Sequence, residues 1–233
     1  MTSTPSGDQT RRPSFDRRTS LVLGVGLVAL WLARFGQDPV SPSWTRLAEL
    51  NWWAGTQVLA YGVLPLLVVA VTGLRPSDLG WTVRSLGRHW RVYAVLFAVA
   101  VPFVVVASGT ASFQEQYPLL EVVRGQENVW RDLAIWWPMY ALQFVAIETF
   151  FRGFLVLGLA PRLGSSAVLV AVVPYMMIHF VKPPAEALAS IIGGLVLGTL
   201  ALRTGSIVGG IAVHLGVAAV MDVAALAHKD FLF

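Results

Sequence analysis

The sequence predicts an all-α fold, a polytopic transmembrane bundle of about seven spanning helices, within a range of six to eight. Three observations predict it. Of 233 residues, 56% are hydrophobic and only 13% charged, with a mean hydropathy of +0.66, far more apolar than a soluble domain of this size. Apolar runs of spanning length recur, and no polar stretch between them exceeds about 25 residues. The basic residues concentrate in alternate loops, as they do in helical membrane proteins.

Residues 1–19 are polar and basic, with Arg11, Arg12, Arg17 and Arg18. No small-residue cleavage site followed by a polar domain comes after them, so they read as a retained cytoplasmic tail. Residues 20–233 read as one helical membrane domain. Its apolar runs lie at about 20–34, 52–73, 91–108, 133–160, 165–181, 186–202 and 205–226, judged against about 30 Å of hydrocarbon and a rise of about 1.5 Å per residue. The first is short and the fourth long, which sets the range on the count.

With seven spans, Arg11, Arg12, Arg17, Arg18, Arg75, Arg84, Arg88, Arg91, Arg162 and Arg203 share one side, whereas Arg34, Arg46, Arg124, Arg131, Lys182 and Lys229 lie opposite. The richer side faces the cytoplasm by the positive-inside rule, which places the N-terminus there. The expected location is a bacterial inner membrane. The net charge of +4 forms no single patch, so the basic pI of about 9.8 reflects topology and no nucleic-acid partner is expected. There are no cysteines, which excludes disulfides and thiolate metal sites. The spacings Gly194 to Gly198 and Gly205 to Gly209 both suit close approach of helices in lipid.

Inside the spans the ionisable residues are Glu148, Arg152, His179, His214 and Asp222. Such groups are expensive in hydrocarbon and mark functional sites by default. Glu148 and Arg152, at i and i+4 in "IETFFRGF", share a helix face and can pair. A helix-stabilising ion pair is the plain alternative, although buried pairs are weak evidence for stability. His179 follows Tyr175 by one turn in "VVPYMMIHF", with Pro174 able to distort the helix. Counted from one membrane face, Glu148, His179 and His214 lie at depths of about 18, 21 and 14 Å. Three helices thus bring one polar group each to the mid-plane, an acid/base set able to activate water. The same three could instead form a two-histidine, one-carboxylate zinc shell. Asp222, about 12 Å along the axis from His214, is expected near the outer boundary. His89 and His228 are expected to be solvated.

The stretches "ETFFRGF", "YMMIH" and "GLVLGTLALRTGSIVGGIAVH" resemble the CPBP intramembrane proteases, the group that contains CAAX prenyl proteases. The resemblance covers about residues 143–222, within a CAAX protease-like core at about 130–226. It implies an endopeptidase that hydrolyses peptide bonds of membrane-associated proteins or peptides through carboxylate- and histidine-activated water, with no cofactor. The family's first motif, two adjacent glutamates, three residues and then arginine, falls on Ile147, Glu148 and Arg152. The second falls on Tyr175 and His179. The third falls on His214 and Ala218, where asparagine is usual. The implied roles are base or water-orienting carboxylate for Glu148, its partner for Arg152, water orientation for His179 and oxyanion donation for His214. Because Ile147 and Ala218 replace the usual glutamate and asparagine, a catalytically inactive scaffold or chaperone is the alternative reading.

Overall fold

The computed structural model describes residues 16–38, 41–122 and 125–229, so most of the basic tail, with Arg11 and Arg12, and also Arg124 lie outside the described residues. Helix α1 is Arg17–Phe35; it starts where the Asp16 carboxylate accepts from the Thr19 backbone N–H at 2.9 Å and from its hydroxyl at 2.6 Å, an N-cap. Helix α2 is Arg46–Thr72, α3 Leu86–Ser108, α4 the short Ala111–Gln116, and α5 Val129–Leu163. Helices α6, α7 and α8 are Ser166–Met177, Pro184–Thr204 and Val208–His228. No strand occurs among the described residues.

Every expected apolar run is helical, and six of the helices are long and apolar enough to cross a membrane. The exception is α6. Its 12 residues reach about 18 Å, well short of the hydrocarbon thickness. Pro174 removes a helical donor inside it. Beyond Met177 the chain tightens into bonds of three-residue span, His179 N–H to Met176 O at 2.9 Å and Lys182 N–H to His179 O at 3.0 Å. Pro183 and Pro184 then set the start of α7. His179 therefore stands on a turn at the end of a half-length helix.

Burial separates the roles of the helices. Over its apolar window α3 is only 11% buried, whereas α5 is 78% buried. Phe103 and Val106 of α3 are among the exposed apolar side chains, as a lipid-facing helix requires. Helix α5 is the axis of the bundle. Two segments depart from α geometry, Val58–Val63 in α2 and Thr149–Leu157 in α5, both π-helical. Tyr61 of the first stacks on Phe150 of the second, ring centroids 4.8 Å apart, and the Gly62 backbone closes on Ala146.

Glycines set several close contacts. A Cβ on Gly198 would lie 2.9 Å from Val168 Cγ1, and one on Gly194 would lie 3.1 Å from Tyr175 Cδ1, so the first small-residue pair packs α7 on α6 as expected. The second pair divides. Gly209 lies against the Tyr93 ring of α3, but Gly205 has open space around it and a φ of +63°, which makes it the left-handed stop of α7. Parallel packing of α3 and α8 continues with Phe97 at Gly216 and ends at a 3.1 Å hydrogen bond between the Ser108 hydroxyl and His228 Nε2. His228 is exposed, as expected, and its ring also ties two helix ends.

A 3₁₀ turn, Pro76–Leu79, seats its Leu79 carbonyl where a Gly153 Cβ would come within 2.6 Å. Gly153→Ala is expected to lower stability by about 1–3 kcal/mol. Gly193→Ala, in open space, should be neutral or gain up to about 1 kcal/mol. Thermal unfolding of both variants in one detergent checks the contrast.

Candidate active site

Glu148 is the last residue of α5 before the π segment, and Arg152 lies within that segment. Both are buried. A residue step of about 82° in place of about 100° still keeps positions four apart on one side, and Arg152 Nη1 lies 3.2 Å from Glu148 Oε1. An unpaired charge at this depth would be prohibitive; the pair cancels much of that cost. The two charges are further held by their neighbours. His214, from α8, donates its Nδ1–H to Glu148 Oε1 at 2.8 Å. The Arg152 guanidinium lies over the Tyr175 ring of α6, 4.0 Å from its centroid, a cation–π contact strengthened by desolvation.

Tyr175 is the hub. Its ring is 4.8 Å from the His179 ring and 6.5 Å from the His214 ring, and its carbonyl accepts the His179 Nδ1–H at 2.8 Å. A carbonyl can only accept, so that bond fixes the tautomer with Nε2 of His179 as an acceptor. Phe144 closes over His214 at 4.7 Å. The structure thus joins Glu148, Arg152 and His214 directly and brings His179 in through Tyr175. His179 itself makes no hydrogen bond to Glu148 or His214.

Three polar ends in the cluster lack a hydrogen bond within the protein: Glu148 Oε2 and both terminal nitrogens of Arg152. Unsatisfied buried groups are rare and call for a specific explanation. A Cβ on Gly210 would lie 3.1 Å from Glu148 Oε2, so the bare backbone of α8 leaves that oxygen space. Two participants escape sequence reasoning: Gly210 and the hub role of Tyr175. The available signal is their spacing, since each precedes a site histidine by four residues.

The positions that depart from the family pattern are dry. Ile147 packs in the cluster with Tyr61, Phe151 and Tyr175, and Ala218 packs with Trp136 and Tyr140. Asp222 accepts from the Trp137 indole N–H at 3.1 Å and is buried, so it is enclosed by protein and stands apart from the site. Among the described residues no group of three or more His, Asp and Glu side chains is gathered to hold a metal ion. Of the expected zinc set, His179 spends Nδ1 on a carbonyl and His214 spends Nδ1 on Glu148 itself.

The turn that carries His179 is anchored from outside the site. Lys182 donates to the Tyr117 hydroxyl at 3.1 Å, and that hydroxyl donates to both Glu186 oxygens at 2.9 Å. Burial pulls the Lys182 ammonium below its ordinary range, opposed by the Glu186 charge. Burial and the same Glu186 charge raise the Tyr117 phenol.

Removing one member of the central pair leaves the other charge buried alone. Arg152→Met is expected to destabilise by about 3–5 kcal/mol, and adding Glu148→Gln to recover most of that loss. Chemical unfolding of both single variants and the double variant measures the coupling.

Residues 129–220 match the family described as type II CAAX prenyl endopeptidase Rce1-like. The match begins at the first residue of α5, ends within α8 and includes Glu148, Arg152, Tyr175, His179 and His214. No curated protein and no solved structure matches the chain. With its six long apolar helices the chain is an integral, multi-pass membrane protein, and its core over residues 129–220 is similar to the CAAX protease-like family.

Proposed function

We propose that this protein is an intramembrane endopeptidase that hydrolyses peptide bonds of membrane-associated proteins or peptides with a water activated at Glu148. The observation that carries the reading is the free oxygen of Glu148. One carboxylate oxygen is committed to Arg152 and His214, and the other is buried without a protein partner. A carboxylate held in that way is a positioned base in a site sheltered from bulk solvent.

In the proposed reaction a water donates to Glu148 Oε2, and the Nε2 lone pair of His179 orients it. Glu148 takes one proton as the water oxygen bonds to the scissile carbonyl carbon. The same proton passes from Glu148 to the leaving nitrogen as the carbon–nitrogen bond breaks, which restores the carboxylate. His214 holds Glu148 through Nδ1. Its Nε2 can donate to the oxyanion once both ring nitrogens carry protons. Arg152 stays paired with Glu148 throughout and balances its charge. The positive-inside bias favours a cytoplasmic N-terminus; for the described residues, Arg17, Arg18, Arg75, Arg84, Arg88, Arg91, Arg162 and Arg203 all stand at one end of the alternating helices.

The packing of Ile147 and Ala218 in apolar clusters favours a second reading, a catalytically inactive family member that serves as a membrane scaffold or chaperone. Cleavage assays separate the two. In lipid nanodiscs with a membrane-anchored fluorogenic peptide, Glu148→Gln is expected to lower kcat at least about a hundredfold and His179→Ala about 10- to 1000-fold. Equal turnover by Glu148→Gln and the parent overturns the base assignment. Absence of turnover across a panel of anchored peptides supports the scaffold.

A further inference from the structure

Away from the site, the arginine-rich end of the bundle holds an open cavity of about 530 Å³, lined by Arg75, Ser77, Trp81, Thr82, Arg84, Ser85 and Thr204. It lies between the end of α2 and the start of α3, where two apolar helices leave the hydrocarbon.

Its cations are uncommitted. Among the described residues Arg46 and Arg131 pair with Glu49 and Asp132, whereas neither Arg75 nor Arg84 forms an ion pair. The nearby Asp78 carboxylate accepts the Arg75 backbone N–H through Oδ2 at 2.8 Å and forms no ion pair with either arginine. Ser85 sits at the N-cap of α3 without capping it, which leaves its hydroxyl for another acceptor. The frame is rigid. The Ser206 hydroxyl donates to Thr82 O at 2.5 Å, and Ile207 N–H donates to Gly80 O at 3.0 Å. Trp81 is 36% exposed at the rim, an amphipathic ring of the kind enriched at headgroup level.

We infer that this cavity binds the phosphate of an anionic phospholipid headgroup, with the two guanidiniums clasping the phosphate oxygens and the serine hydroxyls donating to the headgroup. Guanidinium forks match phosphate geometry, and a basic recess at the end of spanning helices is placed where lipid phosphates lie. A lipid is favoured over free phosphate because the recess adjoins the lipid-facing α3 and carries an indole at its rim.

The test uses the full-length protein in non-ionic detergent, with native mass spectrometry reading binding of phosphatidylglycerol and phosphatidylcholine. Phosphatidylglycerol is expected to bind about tenfold more tightly. Since each arginine near a charged headgroup contributes about fivefold, Arg75→Gln with Arg84→Gln should weaken phosphatidylglycerol by at least about tenfold and phosphatidylcholine, whose phosphate is offset by its own cation, by clearly less. Arg46→Gln with Arg131→Gln, a matched charge loss away from the cavity, should leave the affinity for each lipid unchanged. Equal affinity for the two lipids, or equal losses in the two double variants, overturns the inference. Full displacement of the lipid by equimolar inorganic phosphate also overturns it and assigns the recess to free phosphate.

Discussion

The Glu148–Arg152 pair is the constraint around which the rest is arranged. Two full charges in the most buried helix can persist only with each other and with partners that spread their fields. His214 and Tyr175 are those partners, and they come from α8 and α6. Three helices are therefore fixed in rotation by one polar cluster. The glycines that let them close, Gly194 beside Tyr175 and Gly210 beside Glu148, are structural conditions of the same contact. A site of this kind is rigid because displacing any member strands a charge in hydrocarbon.

The spans and the carboxylate arm were legible in the sequence for a simple reason. Desolvation makes charge rare in apolar runs, so Glu148, Arg152 and His214 stand out, and depth counting brings them to one level. His179 is legible in the same way, but the support of its turn is not. Its turn depends on Pro174 and on the Lys182–Tyr117–Glu186 bonds, a contact across 65 residues that no local pattern announces. The π segments were invisible for another reason. Thr149–Leu157 is buried almost all round, and nine residues with a single charge, Arg152, and no solvent-facing side are too few to give residues per turn. Gly205 and Gly209 share the spacing of a packing motif, yet only the backbone shows that one ends a helix while the other meets a ring.

The two departures from the family pattern take on a physical meaning in this setting. Ile147 and Ala218 are not polar positions left bare; each is absorbed into an apolar cluster, one along the second half of α5 and the other along its first. The polar cluster is correspondingly narrow, and its chemistry is concentrated on one oxygen of Glu148 and one nitrogen of each histidine. Such a site has fewer hydrogen-bonding groups for a transition state than a site with a second carboxylate and an amide. It also has fewer charges to neutralise when empty.

The π segment in α5 has a consequence for the gene as well as for the fold. A wide turn accommodates an extra residue without lengthening the helix in proportion, so it behaves as an insertion held in place by its surroundings. Deleting one codon within Thr149–Leu157 would let the segment relax to α geometry, which largely preserves the facing of the helix beyond it but re-aims the side chains inside it. Gly153 would then leave the Leu79 carbonyl, and Arg152 would leave both Glu148 and Tyr175. The length of this helix is thus fixed by its own electrostatics, and change in this region is confined to substitutions that keep the reading of each face intact.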